Sequence, residues 1–497
     1  MQTYILAIDR GSSNLKLVLF NQQGEQVHIV SAPNQETISK EEGWREFDLD
    51  IVWQQVCDLT KQIISGFCRS EQIVAVSFSG HGNGLVLLDD TQRPLGNGIY
   101  SLDSRAASIV ERWKQDGVYS EAQDVFRCPI IAGAPISLFA WIKEYQPDRA
   151  GKAKHCLFIK DWLRLCLGGS VATDYTDASS GSLLDHAGQC YSRHIYEKLG
   201  VGELYELLPP LHYSSELVAK VSDGAARDSG LKAGTPLFTG GQDLSLGPLG
   251  VSDFSEDVLI SVFGSWAINV LNVVDTTGLP LVINHPIEGH YLSGVADGNA
   301  GLALDTMIRL FFLDVMSDSQ RTGKSAQSLL EKIVSANDQN TLLFIPHLFG
   351  SMINPGAISG LIGIRSHTER RDIYKAICEG ILLGYKANIE LLPQFKGIKT
   401  VWLIGGGAKS ELLAQMMADI FGREVVVPQD SEISARGAAV CALLGRHNGA
   451  LSSIPSPRIR KRFVPDVAMV HYYEKKSALI SQVLLEGDPL LEAVSSF

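Results

Sequence analysis

Apolar residues near the N-terminus fall into two short runs that are separated by a polar turn. Residues 4–8 (YILAI) and 15–20 (LKLVLF) flank the hexapeptide DRGSSN at 9–14. Apolar runs on both sides of a Gly/Ser/Asn turn are typical of a β-hairpin. The pattern therefore predicts two antiparallel strands, followed by a third antiparallel strand at 25–31.

The predicted hairpin turn carries residues that suit phosphate and metal binding. Gly11 lets the backbone bend so that successive N–H groups point into one concavity, and Ser12 and Ser13 add hydroxyl donors. Asp9 offers the oxygen ligands that Mg²⁺ prefers. Lys16 faces either the phosphates or only solvent. An ordinary hairpin with a polar tip is the alternative interpretation of this turn alone.

The next apolar patterns predict a mixed α/β domain. Apolar residues recur at helical spacing over 50–67, which predicts an amphipathic helix. Short apolar runs at 73–78 and 85–89 predict strands. Strands and helices in this order favour a mixed sheet, and such sheets bind ligands at the ends of their strands.

Two polar segments follow these strands and are candidates for binding hydroxyl groups. The loop SGHGNG at 79–84 offers His81 and Asn83 between glycines, although a plain turn would use the same residues. Asp103 and Arg105 either bind sugar hydroxyls or form a helix cap and a surface ion pair.

Further helices are predicted at 106–113 and 135–144, the latter with a proline in its first turn. The segment 158–163 reads as another helix, and the segment 172–179 (ATDYTDAS) as a polar loop after it. A buried strand at 237–239 leads into Gly-Gly-Gln-Asp, which ends at Asp243. The glycines leave room for a substrate hydroxyl, so Asp243 is suited to act as a general base.

The second half of the chain repeats the opening pattern weakly. A strand at 258–263, a turn at Gly264 and Ser265, and a returning strand at 266–271 predict a second hairpin, as in an old duplication. Later, a strand at 401–404 runs into glycines and then a helix at 411–421. A glycine turn at a helix N-terminus is a general way to hold a nucleotide, although this one matches no specific fingerprint. Its candidate residues are Gly406, Gly407 and Ala408.

Composition limits the function classes. The 497 residues are enough for two large domains or more, and the net charge of −12 argues against general nucleic-acid binding. The basic run at 458–462 is interpreted as a solvated edge or loop. We expect no membrane span and no signal peptide, since Asp9 and Arg10 interrupt the apolar N-terminus. The eight scattered cysteines predict reduced thiols in a cytoplasmic protein.

Together these motifs, in this order, resemble those of the FGGY carbohydrate kinases over nearly the whole chain. The family's C-terminal signature matches at 359–364 and 372–379, except for Cys378, and its N-terminal signature matches at 135–144, except for Leu138. The segment 349–355 also departs from the pattern of many members. With these departures, the chain is similar to the branch of the family that includes L-xylulose kinase-like proteins. The departures argue against glycerol and D-xylulose as substrates.

The resemblance implies an α/β fold of two actin-like ATPase (ribonuclease H-like) domains with ATP in a central cleft. We expect residues 1–245 to form a sugar-binding domain and residues 246–497 to form an ATP-binding domain. The implied activity is ATP-dependent phosphorylation of a terminal hydroxyl of a small sugar, such as a pentulose, or of a polyol. Mg²⁺ would be the metal, and many family members are homodimers or homotetramers.

The resemblance also assigns roles residue by residue. Asp243 falls at the position of the catalytic base and, with Asp9, of the metal site. The substrate-binding positions are His81, Asn83, Asp103 and Asp243. The phosphate-binding and ATP-binding positions are Gly11, Ser12, Ser13, Lys16, Gly264, Ser265, Gly406, Gly407 and Ala408.

Two other functions remain open on the sequence. A kinase of a non-sugar hydroxylated metabolite would share every nucleotide-binding residue and differ only around His81, Asn83 and Asp103. A catalytically silent sugar sensor on the same fold is the alternative outside enzymes. The presence of both Asp9 and Asp243 favours an active kinase.

Overall fold

The chain forms two compact units, each built around its own sheet. The computed structural model describes residues 2–35, 41–251, 255–351, 354, 356–447, 455–486 and 489. The first unit comprises Met1–Phe254, Asn272–Ser293 and Glu432–Pro457. The second comprises Ser255–Leu271, Gly294–Ser431 and Arg458–Phe497. The domain limits expected from the sequence, 1–245 and 246–497, stay a prediction.

The strands and helices up to residue 251 are numbered here in chain order. The strands are β1 (Tyr4–Arg10), β2 (Asn14–Phe20), β3 (Gln26–Pro33), β4 (Glu46–Phe47), β5 (Ile73–Gly80), β6 (Val86–Leu88), β7 (Gly98–Ile99), β8 (His155–Leu157), β9 (Thr173–Asp174), β10 (Leu184–Asp185), β11 (Cys190–Tyr191), β12 (Leu211–His212), β13 (Leu217–Lys220), β14 (Pro236–Phe238) and β15 (Gly241–Gln242). The helices are α1 (Leu49–Gly66), α2 (Ala107–Gln115), α3 (Val118–Phe126), α4 (Pro135–Tyr145), α5 (Pro147–Lys152), α6 (Ile159–Gly168), α7 (Tyr175–Ser180), α8 (Arg193–Lys198), α9 (Asp223–Ser229) and α10 (Asp243–Val251).

The same numbering continues through the rest of the chain. The strands are β16 (Val258–Phe263), β17 (Ala267–Val273), β18 (Ile283–Asn284), β19 (Tyr291–Asp297), β20 (Leu343–Ile345), β21 (Gly360–Ile362), β22 (Thr400–Ile404), β23 (Glu424–Pro428) and β24 (Ile459–Phe463). The helices are α11 (Gly301–Phe311), α12 (Leu313–Thr322), α13 (Ala326–Leu330), α14 (Arg370–Ile389), α15 (Glu411–Phe421), α16 (Ile433–Arg446) and α17 (Val467–Glu486). Single 3₁₀ turns occur at Ser70–Gln72, Gly202–Leu207, Glu331–Ile333, Pro393–Gly397 and Gly406–Lys409.

The main sheet of the first unit has the strand order β13-β14-β5-β1-β2-β3. The pairs β1-β2, β2-β3 and β13-β14 are antiparallel, whereas β5 runs parallel to β1 and to β14. The short strand β15 also pairs with β5 in parallel. The predicted hairpin and third strand are therefore confirmed, and the hairpin continues into a mixed sheet.

The sheet of the second unit repeats this arrangement. Six neighbouring strands follow the order β19-β17-β16-β22-β23-β24. The hairpin β16-β17 is antiparallel, β22 is parallel to β16 and to β23, and β24 closes the edge antiparallel to β23. The two sheets thus place a hairpin beside a parallel strand in the same way, which supports the predicted duplication.

The central strands β1, β2, β5 and β14 are largely buried on both faces, which explains why most of their residues are apolar. Residues such as Leu6 and Ile8 pack with α1, α6 and α9 on one face. Residues such as Ala7 and Val18 pack with α10 and α16 on the other face. The predicted helices at 50–67, 106–113, 135–144, 158–163 and 411–421 are confirmed as α1, α2, α4, α6 and α15.

The polar loop predicted at 172–179 is wrong, because this segment forms β9 and α7 and is buried. Asp174 caps α7 by accepting a hydrogen bond of 2.8 Å from the Thr176 backbone N–H. Lys160 lies 2.8 Å from the Asp174 carboxylate, so a buried cation compensates its charge. That compensation comes from a residue outside the segment, and the local polarity therefore misled the prediction.

Two other expectations concern the surface. The basic run at 458–462 lies largely in the edge strand β24, as expected, and Arg462 pairs with Glu424 at 2.7 Å. Part of the divergent segment 349–355, namely residues 352, 353 and 355, lies outside the described residues. None of the helices in the described part of the chain combines the length and the hydropathy that crossing a bilayer requires.

Candidate active site

The candidate site of the first unit is built where three parallel strands end. In the register of the sheet, Asp9 of β1 lies opposite Ser79 of β5, and Gly241 of β15 also lies opposite Ser79. Because parallel strands end at the same edge, His81 and Asp243 follow their strands at the edge where Asp9 lies. The sheet therefore brings together three of the residues that the sequence singled out.

The approach of the backbone to Asp243 requires glycine. Gly240 has a φ of +72°, and a Cβ atom on it would lie only 2.0 Å from the Phe78 carbonyl oxygen. Asp243 then begins α10, and its Oδ1 accepts a hydrogen bond of 2.7 Å from the Leu244 N–H. Burial, and secondly the neighbouring Asp9 carboxylate, raise the pKa of Asp243 to about 7. A carboxyl group with such a pKa can accept a proton near neutral pH.

Asp9 is buried at the end of β1 and has an oxygen available for a cation. Its Oδ1 atom has no hydrogen-bond partner among the described residues. Burial raises the pKa of Asp9, whereas Ser79 and the positive charge of Lys16 lower it. A bound cation would stabilise the ionised carboxylate, so Asp9 fits the magnesium ion that the family implies. No cluster of three or more His, Cys, Asp or Glu side chains suited to a metal occurs in the described residues.

The turn after β1 presents hydroxyl groups on a supported backbone. Ser12 and Ser13 are exposed. The Asn34 side-chain amide donates 2.9 Å to the Gly11 carbonyl, and the Asn34 backbone N–H donates 2.9 Å to the Ser13 carbonyl. The turn is thereby held in one shape while its serine side chains stay accessible for phosphate oxygens.

Lys16 lies directly across the hairpin from Asp9 and forms an ion pair. Its Nζ lies 2.5 Å from Glu432, the residue before α16. Opposed residues of an antiparallel pair place their side chains on the same face, so the Lys16 cation faces the Asp9 side of the sheet. From the sequence, Lys16 was expected to face either the phosphates or only solvent, and neither expectation included the ion pair with Glu432.

The loop after β5 offers two polar atoms for substrate hydroxyls. The Nε2 of His81 and the Oδ1 of Asn83 are buried and have no hydrogen-bond partner among the described residues. Burial, and secondly Arg10, lower the pKa of His81 to about 4, so its imidazole is neutral at physiological pH. The ring packs 5.2 Å from that of Tyr100. Both atoms follow the end of β5, which pairs with the end of β1 at Asp9, and this position makes them candidates for ligand contacts.

Asp103 differs from these residues because its carboxylate is already engaged. Its Oδ1 accepts from the Arg105 backbone N–H (2.9 Å) and Nε (2.8 Å). Its Oδ2 accepts from Arg105 Nη2 (2.8 Å) and from the Arg45 backbone N–H (2.7 Å). The Arg105 guanidinium lies 4.0 Å from the centre of the Trp44 ring. The ion pair considered from the sequence therefore exists, but it is buried and not on the surface.

In the second unit, two glycine turns follow neighbouring parallel strands. Gly264 and Ser265 connect β16 to β17, and the Gly264 N–H donates 3.0 Å to the Trp266 carbonyl. The strands β16 and β22 pair Val262 with Ile404 at their ends. The turn after β22 therefore lies at the same edge of the sheet as Gly264 and Ser265.

The turn after β22 has little space for side chains. Gly405 has a φ of +84°, and a Cβ atom on Gly407 would lie 2.6 Å from the Phe263 ring. Gly406 is exposed, whereas Gly407 and Ala408 are buried in the 3₁₀ turn. Such close packing lets backbone N–H groups approach a ligand, as a nucleotide-binding turn requires.

Two buried cationic residues near the first site were missed from the sequence. Arg10 is fully buried, and its Nη2 donates 2.6 Å to the Tyr100 hydroxyl. Lys160 is fully buried beneath β5, where a Cβ atom on Gly80 would lie 3.1 Å from its own Cβ. For Lys160 the signal was a charged residue next to the apolar run 157–159, because such a residue is buried only when it is paired. Arg10 lies in the predicted polar turn, where no such signal occurs.

Comparisons with known proteins agree with this architecture. Residues 4–250 match the FGGY family of carbohydrate kinases, N-terminal domain, and residues 264–445 match its C-terminal domain. The structure is similar to a xylulose kinase from Brucella ovis, with a TM-score of 0.86 at 19% identity over 99% of this chain and 100% of that one. The α/β fold of two actin-like domains is therefore that of this group of kinases.

Two proteins are similar over most of their length. The chain is 30% identical to a probable L-xylulose kinase of Pasteurella multocida over 90% of this chain and 92% of that protein. It is 29% identical to the L-xylulose/3-keto-L-gulonate kinase of Escherichia coli over 96% and 95% of the two chains. This chain belongs to the FGGY family of carbohydrate kinases. It is a phosphotransferase with an alcohol group as acceptor.

Proposed function

We propose that the protein transfers the γ-phosphoryl group of ATP to a terminal hydroxyl of a small ketose, with Asp243 as the general base. Asp243 accepts the proton of the hydroxyl while the hydroxyl oxygen forms a bond to the γ-phosphorus. The bond between that phosphorus and the leaving oxygen of ADP breaks in the same transfer. Positioning and charge neutralisation supply most of the rate in phosphoryl transfer.

The observation that carries this proposal is the pairing of Asp243 with Asp9 at one end of the sheet. The pKa of about 7 suits Asp243 to a proton transfer at neutral pH. The Asp9 carboxylate would hold Mg²⁺, which when bound supplies positive charge next to the phosphates. Asp243 then accepts the proton and Asp9 binds the metal ion. Asp243 is also a second candidate ligand of that ion.

The remaining roles follow from the exposed turns and the unpartnered polar atoms. Gly11, Ser12 and Ser13 would donate hydrogen bonds to phosphate oxygens, and Lys16 would add positive charge near them. In the second unit, the candidate phosphate donors are Gly264 and Ser265, and the candidate adenosine turn is formed by Gly406, Gly407 and Ala408. His81 and Asn83 would bind sugar hydroxyls. Asp103 would act through Arg105 and Arg45, since its own acceptor positions are occupied.

The names of the relatives suggest the substrate class. Two similar proteins are named for L-xylulose, and one of them also for 3-keto-L-gulonate. L-Xylulose is a ketose and 3-keto-L-gulonate is a keto sugar acid, and both carry a keto group and a terminal hydroxyl. We propose an L-ketose of five or six carbons as the substrate, and a non-sugar hydroxylated metabolite is the alternative.

The role of Asp243 is tested by Asp243→Asn, which keeps the shape of the side chain and removes the base. We expect kcat to fall by about a hundredfold to ten-thousandfold, the usual contribution of general-base catalysis. The exposed Asp90→Asn is the matched control and should leave kcat unchanged. Near-normal turnover by Asp243→Asn would show that Asp243 is not the base.

The substrate class is tested by ADP release with Mg-ATP and a panel of compounds. The panel contains L-xylulose, 3-keto-L-gulonate, D-xylulose, D-ribulose, xylitol, glycerol and a linear dihydroxy ketone that is not a sugar. We expect an L-ketose to give the highest kcat/KM. A clear preference for the non-sugar ketone would support the alternative, and a preference for glycerol would contradict both.

A further inference from the structure

A buried ion cluster lies beneath the strands that end at the candidate site. Lys160 Nζ lies 2.6 Å from Asp161, 2.8 Å from Asp174 and 3.0 Å from Asp177. Arg164 adds a second cation, 3.0 Å from Asp161. All five side chains are nearly inaccessible to solvent. A cluster of this kind is costly to desolvate and gains from fixed geometry, so it is a rigid part of the fold.

The cluster holds the backbone on both sides of the two glycines that precede Asp243. Arg164 Nη1 donates a hydrogen bond of 3.0 Å to the Thr239 carbonyl. Thr176 Oγ1 accepts a hydrogen bond of 2.9 Å from the Gln242 N–H. The same Thr176 hydroxyl donates 2.5 Å to Asp174, whose carboxylate contacts Lys160.

These two anchors lie on either side of the most flexible residues of the segment. Gly240 and Gly241 stand between Thr239 and Gln242, and glycine loses more conformational freedom on folding than any other residue. The pairing of β15 with β5 also holds Gly241 and Gln242, and the two anchors further limit how far the position of Asp243 can vary. Displacement of a reacting group by about 1 Å can reduce the rate by about a hundredfold.

We propose that the cluster of Lys160, Asp161, Arg164, Asp174 and Asp177 is a positioning device for Asp243, acting through the Thr176 hydroxyl and the Thr239 carbonyl. The proposal rests on the proposed role of Asp243 as the base. Thr176 is then a positioning residue, which affects the reaction only through the backbone of Gln242.

The chain offers a matched pair of variants for the test. Thr176→Val removes the hydroxyl that joins the cluster to Gln242. Thr173→Val removes an equally buried hydroxyl that donates 2.6 Å to Asp161 but holds no residue of 239–243. Both variants lose one hydroxyl from the same cluster, so both should lower the unfolding temperature. Thr173→Val leaves the direct hydrogen bonds to Thr239 and Gln242 in place, so Thr176→Val should affect the placement of Asp243 much more strongly.

The measurements are kcat and KM for each variant with the best sugar of the panel. We expect Thr176→Val to lower kcat by about tenfold to a hundredfold, with KM for ATP within about twofold of the wild type. Thr173→Val should keep kcat within about twofold, and Thr176→Ser, which retains a hydroxyl, should restore kcat. Equal losses of kcat in Thr176→Val and Thr173→Val, or no recovery in Thr176→Ser, would overturn the proposal.

Hydrogen exchange of the wild-type protein gives a test that needs no variant. The amides of 239–242 should exchange as slowly as those of the core strand β5, because the anchored segment opens only with the sheet. Exchange as fast as that of an exposed turn would overturn the proposal even if Thr176→Val failed to fold. If Asp243→Asn stays active, the base assignment is wrong; if only the threonine comparison fails, the positioning role alone is wrong.

Discussion

The Asp9 carboxylate opposes the ionisation of Asp243 at the end of the sheet. Burial raises the pKa of both carboxyl groups, and the Asp9 charge contributes to the rise at Asp243. A pair of confined carboxylates without a cation is therefore strained when both are ionised. At the scale of single residues, we expect this electrostatic cost to affect both the pH range of activity and the stability of the metal-free protein.

The first prediction concerns the pH dependence of the reaction. The base has to be deprotonated, and its pKa is raised to about 7, so kcat/KM should rise with pH up to about 7 and then level off. A bound magnesium ion at Asp9 would move this limb to lower pH, because positive charge favours the ionised form. Initial rates with the best substrate at several pH values test this. Constant kcat/KM between about pH 5 and about pH 8 would contradict it.

The second prediction concerns the stability of the metal-free protein. Because the pKa of Asp243 is higher in the folded state than its ordinary value, the folded state binds more protons. Stability present at low pH is then lost as the pH rises toward about 7. Asp243→Asn removes this loss, so its unfolding temperature at about pH 8 should exceed that of the wild type by about 2 to 5 °C. The difference should narrow toward about pH 5, and a difference independent of pH would contradict the assignment.

At the scale of elements, the short segment from β14 to β15 determines where Asp243 lies. Gly240 crosses over the backbone of Phe78 with a left-handed φ of +72°. Gly234, in the turn before β14, has a similar φ of +82° but has no atom within 4 Å of an added Cβ. Substituting alanine at each of the two glycines therefore distinguishes the cost of backbone strain, at Gly234, from the added cost of a steric clash, at Gly240.

The third prediction uses this pair. Gly234→Ala should cost about 1 to 2 kcal/mol, the usual penalty of a left-handed alanine. Gly240→Ala adds a contact of 2.0 Å with the Phe78 carbonyl and should lower the unfolding temperature much further. It should also lower kcat, because the shift reaches Asp243. Similar unfolding temperatures and similar kcat values in the two variants would contradict the proposed crossing.

Elements with a strong hydrophobic period could be predicted from the sequence, whereas compensation by distant residues could not. The hairpin at 4–20 and the helix at 411–421 have local patterns that the structure reproduces. The segment 172–179 was misjudged because Lys160 neutralises its buried carboxylates from another helix. The engagement of Asp103 by the Arg45 backbone was likewise invisible, since it joins residues 58 positions apart.

At the scale of the whole molecule, the net charge of −12 affects how strongly the protein binds charged polymers. Long-range repulsion should keep it from polyanions such as heparin or DNA. The fourth prediction is that the protein flows through a heparin column at about 0.15 M salt but is retained on an anion exchanger. Retention on heparin would contradict the exclusion of nucleic-acid binding.

Dimeric or tetrameric assembly stays a prediction, which light scattering would test.

The packing of α16 has a consequence for synthesis on the ribosome. This helix covers Ala7, Val18 and Ala75 on one face of the first sheet, yet it begins only at Ile433. During translation the strands β1, β2 and β5 of this sheet are synthesised early. One apolar face of the sheet cannot be covered by α16 until the chain has been synthesised beyond residue 433. We therefore expect the nascent chain to be a substrate for chaperones until this late helix emerges and folds onto the sheet.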